Sequence, residues 1–149
     1  VAGAVEQFKL EIASHPDDVI PRLRIAAVEY KDDSAAGLPY AEEAVRLAPR
    51  QPFAHYLLGL LRLDTDDYLN AIPELEIAQR AFPRETRIYL ALASAYSRAG
   101  RKEESARARA TFARLTEEEK KKPTAENRPQ PRSPGPEQIP VGDIPPAPR

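Results

Sequence analysis

No cysteine occurs among the 149 residues. Disulfides, thiolate metal sites and a cysteine nucleophile are therefore excluded, while the redox compartment stays open. Methionine is missing as well, so Val1 is not a translation start. The chain is expected to be a fragment or a processed product. Charge of one sign is not in excess: 22 Lys and Arg face 23 Asp and Glu, a formal net charge of -1. That balance supplies no whole-molecule field to attract nucleic acid or an anionic membrane. Long apolar runs are lacking too. The longest uncharged one, from Pro52 to Leu61, is about half of what a helix needs to cross a bilayer, and no signal-peptide pattern opens the sequence. These absences imply a soluble chain without a transmembrane segment, in cytoplasm or periplasm.

Chemistry-bearing residues are equally sparse. There are two histidines, His15 beside Pro16 and His55 inside an apolar stretch. No phosphate-cradling glycine loop, nucleophile elbow or metal-ligand spacing occurs, so no catalytic residue, metal or cofactor is expected. The Asp64-Thr65-Asp66-Asp67 run lacks the glycine and distal glutamate of a calcium loop. Together with Asp32, Asp33 and Ser34 it fits turns and helix starts, where carboxylates accept unpaired backbone amides.

What is present is helix-forming. Nine of the sixteen prolines fall between Pro123 and Arg149, and the remainder is rich in Ala, Leu, Arg and Glu, which lose little rotamer freedom on a helix. From 120 to 149 charge and proline dominate, so that stretch is expected to be a disordered tail. Arg128-x-x-Pro131-x-x-Pro134 within it matches a polyproline ligand only superficially.

An internal period orders the helical part. Pro39 and Pro73 are 34 residues apart, as are Pro49 and Pro83. The same shift lays Gly37 on Ala71, Leu38 on Ile72, Glu42 on Glu76, Ala44 on Ala78 and Arg46 on Arg80. The clearest unit, 52–85, reads His55-x-x-Leu58-Gly59, then Ala71-x-x-x-Leu75, Ala78 and Pro83. With Leu-Gly near the start, small residues in the middle and a terminal proline, it resembles the tetratricopeptide repeat. It departs from that family at His55, where Trp is favoured, and at Arg62, where Tyr is. The unit 86–119 offers Tyr89-x-x-Leu92-Ala93-x-x-Tyr96, Gly100 and Ser105; the unit 18–51 keeps Ile25-Ala26, Gly37, Ala41, Ala44 and Pro49. Residues 1–17, with Ala4-x-x-x-Phe8 and Pro16, match the second half of a unit.

The resemblance implies an all-α fold, a right-handed superhelical stack of antiparallel helix pairs (an α-solenoid) that binds a peptide or protein partner along a concave groove. Gly59, Ala71, Ala78 and Ala93 let backbones approach while Leu58, Leu75 and Leu92 fill the space between. Pro39 and Pro73 require their helices either to start late or to kink. A helix from Arg101 to about Glu119 puts Ser105, Ala108, Phe112 and Leu115 on one stripe and closes the stack, with Glu103 and Arg107 spaced to pair on its solvated side. At the other end Val5, Phe8 and Ile12 form a stripe that calls for an upstream helix or for self-association, unless this helix itself caps the array.

In tetratricopeptide repeats the first helix of each unit lines the groove. Helical counting gives Ile20, Leu23, Ala27 and Tyr30, then Phe53, Tyr56, Leu60 and Leu63, then Arg87, Leu90, Ser94 and Ser97. Such a face suits a peptide with apolar anchors, with Arg87 or Arg98 holding a carboxylate. Family members that receive acidic chaperone tails use lysine and asparagine clamps; Leu23, Ala27, Tyr56 and Leu60 stand there instead, which disfavours that ligand. Ile139, Val141 and Ile144 in the tail match the groove's apolar character. The function expected is a non-catalytic interaction scaffold. The alternative is a structural or oligomerisation segment of a larger protein, enzymatic or of the cell envelope, whose groove is filled in cis.

Overall fold

The computed structural model describes residues 2–122. The polyproline match and the tail residues Ile139, Val141 and Ile144 lie outside the described residues. Seven helices run in order: α1 (Ala2–Ser14), α2 (Val19–Glu29), α3 (Ser34–Leu47), α4 (Pro52–Asp64), α5 (Tyr68–Ala81), α6 (Thr86–Arg98) and α7 (Lys102–Lys121). No strand occurs among the described residues. Each helix packs on its chain neighbour, and α4 also touches α2 and α6, so α2, α4 and α6 form one layer of the solenoid.

Local chemistry sets the helix ends. Asp18 caps α2 by accepting from the Ile20 amide, Asp33 caps α3 through the Ala36 amide, and α4 starts on Pro52. These are the positions where orphan amides need an acceptor, or where a missing N–H costs nothing. The acidic residues between helices diverge to separate partners. Asp64 accepts from the Ser34 hydroxyl at 2.5 Å and the Lys31 ammonium at 3.0 Å, Asp66 holds Arg98 at 2.9 Å, and Asp67 accepts from Asn70. The turns before α3, α5 and α7 each contain one left-handed residue, Lys31, Asp66 and Gly100.

Pro39 and Pro73 lie inside α3 and α5, five residues after each helix begins, so neither helix starts late. Both prolines, and Ala35 and Leu69 whose carbonyls lose their helical donor, are exposed, which puts the broken bond where water can replace it. α7 runs through Lys120 and Lys121, residues that composition assigned to the tail. A cationic last turn suits the negative end of a helix. Along α7 and its cap the pairs formed include Arg101 with Glu104, Arg114 with Glu118 and Lys120 with Glu117, and Glu103 does not pair with Arg107.

Two apolar clusters make the core. One joins α2, α3 and α4 through Leu23, Ala26, Ala41, Ala44, Leu57, Leu58 and Leu61. The other joins α4, α5, α6 and α7 through Leu60, Ile72, Leu75, Ile88, Leu92 and Ala108. Small residues set the spacing: a Cβ on Gly59 would come 2.7 Å from Leu75 Cγ, so α4 and α5 touch at the glycine. Ser105 on α7 donates to the Ala93 carbonyl of α6 at 2.8 Å. The N-terminal helix packs on α2. Val5 is buried, Phe8 and Ile12 are half-buried, and the Arg24 guanidinium of α2 sits 5.5 Å from the Phe8 ring centre.

Candidate binding groove

The layer of α2, α4 and α6 encloses an open groove of about 520 Å³, lined mainly by apolar side chains. Its middle is α4. Tyr56 and Leu60 form a nearly buried floor, while Phe53 at the start of the helix keeps 41 % of its surface exposed. The Phe53 and Tyr56 rings stand 6.0 Å apart at 42°. From α6, Leu90 projects with 54 % exposure; from the end of α2, Tyr30 closes the other side. Leu10, Leu69 and Phe82 are also exposed, but they line none of this groove.

Charge in the groove has one sign. Among the described residues Lys31 and Arg87 are its two charged lining residues, and no Asp or Glu lines it. Lys31 Nζ lies 5.2 Å from the Tyr30 ring centre while bonding Asp64. Arg87 Nε bonds Glu85 at 3.0 Å, and that hydrogen bond holds the Glu85 carboxyl below its ordinary range. Burial pushes the Tyr56 phenol up, opposed by the positive charge of Arg87. The groove thus joins an apolar floor to a cationic rim whose two charges pair with Asp64 and Glu85.

Seven of the ten residues chosen from sequence meet in this groove: Tyr30, Phe53, Tyr56, Leu60, Leu63, Arg87 and Leu90. Three do not. Leu23 is buried in the core cluster that joins α2, α3 and α4. Ile20 is exposed outside the lining, and Arg98 is drawn to Asp66 at the far end of α6. Helical counting missed Lys31, Leu57 and Ala91. Lys31 belongs to a turn with φ of 76°, where no helical period applies, and the other two directly follow Tyr56 and Leu90 at the edge of the counted face.

Other hollows are lined differently. One between α6 and α7 involves Gln79, Tyr96, Glu104 and Arg107; another, of about 360 Å³, lies among Arg84, Glu85, Thr86, Thr116 and Glu119. Both are mostly polar.

No protein-family model matches the chain, and no curated protein matches it in sequence. Among solved structures it is similar to MamA. The structure of MamA from residue 41 to the end, from Desulfovibrio magneticus RS-1, superposes with a TM-score of 0.72 at 23% identity, over 76% of this chain and 65% of that one. A MamA RS-1 double mutant gives 0.71 at 23%, over 79% and 67%, and MamA of MSR-1 gives 0.67 at 20%, over 77% and 67%. The chain thus spans about two thirds of the length of these structures, and at this identity the likeness establishes a shared helical fold.

Proposed function

We propose that this chain is a non-catalytic scaffold that holds a peptide or protein segment in the groove of α2, α4 and α6. One observation carries the reading: Phe53 and Leu90 stay substantially exposed on facing helices above a floor of Tyr56 and Leu60, with Lys31 and Arg87 beside them. Apolar surface left uncovered and flanked by polar groups marks a contact site, and aromatic and arginine residues are the side chains that carry most interface energy. A stack of helix pairs presents such a surface by construction, and residues 18–51, 52–85 and 86–119 serve as its repeating units in this reading. His55 has its ring nitrogens facing the Pro49 carbonyl and the Glu74 carboxylate, which gives it a packing role in the scaffold rather than a chemical one.

The test uses peptides selected from a displayed random library, titrated against wild type and a Phe53→Ala/Leu90→Ala variant. Both positions are exposed, so the thermal midpoint should hardly move. Peptide affinity should fall at least about tenfold, or about 1.4 kcal/mol. Peptides that bind both proteins equally overturn the proposal. So does a selection that yields no groove-dependent peptide, whether from this chain or from one carrying Ile139→Ser, Val141→Ser and Ile144→Ser.

A further inference from the structure

We propose that the groove is occupied in cis by residues 139–145 of the same chain, so that the scaffold holds its own tail until a partner displaces it. This rests on the groove being a peptide site, and names its first occupant.

The exit point of the chain favours it. α7 returns antiparallel along α6, and its last turns reach the start of that helix, where Arg84 bonds Glu118 at 2.8 Å. Thr116 and Glu119 share a hollow there with Glu85 and Thr86. Glu85 in turn bonds Arg87, a groove residue. The chain therefore leaves α7 beside the Arg87 end of the groove.

Reach is ample. Sixteen residues, 123–138, separate the described chain from Ile139. At the polyproline rise of about 3.1 Å per residue they span up to roughly 50 Å. The floor helix α4 has 13 residues, a length of about 20 Å.

The chemistry matches in both apolar and charged parts. Ile139, Val141 and Ile144 are the only large aliphatic residues after Lys122, and they fall within six positions that also hold Asp143. Three aliphatic anchors and one carboxylate correspond to a lining of Phe53, Leu60, Leu63 and Leu90 with, among the described residues, two cations and no acid. Lys31 and Arg87, with side chains 65 % and 75 % exposed, remain open to a second carboxylate. Pro140, Pro145 and Pro146 restrict the free segment, which lowers the entropy lost on docking. A tether of this length supplies an effective concentration on the order of 1 mM, enough for a weak segment to dock.

The absence of cysteine makes the test direct, because Ala147→Cys gives a single attachment point for a nitroxide in the full chain. The expected result is selective broadening of the NMR signals of Phe53, Leu60 and Leu90, unchanged on dilution and abolished by Ile139→Ser/Val141→Ser/Ile144→Ser. That triple variant should also bind a groove-dependent selected peptide about tenfold more tightly, for a tail segment with Kd of about 0.1 mM. No groove broadening overturns the proposal, and broadening that disappears on dilution overturns it in favour of a second copy's tail. If selected peptides still bind through Phe53 and Leu90 in either case, only the occupant was misassigned. If they do not, the groove reading falls as well.

Discussion

His55 and Tyr89, 34 positions apart, engage equivalent backbone groups that are also 34 apart: His55 Nε2 lies 2.6 Å from the Pro49 carbonyl oxygen and the Tyr89 hydroxyl donates to the Pro83 carbonyl at 2.6 Å. Each ties a helix of the groove layer to the proline that ends the preceding helix pair. Arg22, 33 positions before His55, is also buried and donates to the Asp18 carbonyl at 2.7 Å. Arg22 thus ties α2 to its own capping residue, whereas His55 and Tyr89 reach back across the loop to a proline carbonyl.

His55→Ala should cost more than Tyr89→Phe. The first removes a ring and leaves both the Pro49 carbonyl and one Glu74 oxygen short of a partner, a loss of about 2–4 kcal/mol; the second deletes one hydroxyl, about 1 kcal/mol. Urea unfolding of the two variants measures both. Equal costs would mean that the hydrogen bond to the proline carbonyl, not the packing of the ring, decides stability here.

Gly59→Ala and Gly37→Ala should differ although both lie in helices. At Gly59 the new methyl would stand 2.7 Å from Leu75 Cγ and 3.3 Å from the Leu75 amide nitrogen, so backbone must shift, at about 1–3 kcal/mol. At Gly37 the nearest atoms are Glu29 Cβ at 3.0 Å and a Leu61 methyl at 3.4 Å. There the helix-propensity gain of about 1 kcal/mol roughly offsets the crowding. A Gly59→Ala variant as stable as wild type would refute the close approach of α4 and α5.

The Tyr96 phenol is pushed up to about 12, first by burial and then by its hydrogen bond to Glu76. Since the folded value exceeds the unfolded one of 10.0, this stabilisation is complete below pH 10 and disappears as pH rises through about 12. In an ultraviolet titration of tyrosinate, Tyr96→Phe should remove the highest-pH step, and its stability should fall less steeply above pH 10 than that of wild type.

Asp64 behaves in the opposite sense. The Ser34 hydroxyl first, and then Lys31, hold its carboxyl below the ordinary 3.8. Its stabilisation is present above about that pH and is lost as pH falls through the depressed value. Asp64→Asn should therefore flatten the acid limb of the stability profile below pH 4 while lowering stability near neutrality by less than about 1 kcal/mol. An unchanged acid limb would show that this carboxylate is not held as the geometry indicates.

Periodicity made the helices and much of the groove legible from sequence, because the positions on α4 repeat at helical spacing and Phe53, Tyr56, Leu60 and Leu63 fall on one face. Legibility ended where helices end. Lys31 enters the groove through a left-handed turn, and Arg98 leaves it for Asp66, a carboxylate 32 residues earlier that local pattern does not connect to it. Leu23 stands at the place in α2 that Tyr56 has in α4, yet its side chain belongs to the core cluster of α2, α3 and α4.

α4 contributes Leu57, Leu58 and Leu61 to one core cluster and Tyr56 and Leu60 to the other. A chain of pairwise contacts would ordinarily let each end melt on its own, yet here neither half can lose its order without stripping one side of the same helix. Amide protons of Leu58 and Leu61 should accordingly be among the last to exchange with deuterium, and those of α1 among the first. A ligand lying on α4 would tighten both halves at once, so filling the groove should be felt as slowed exchange in helices it never touches.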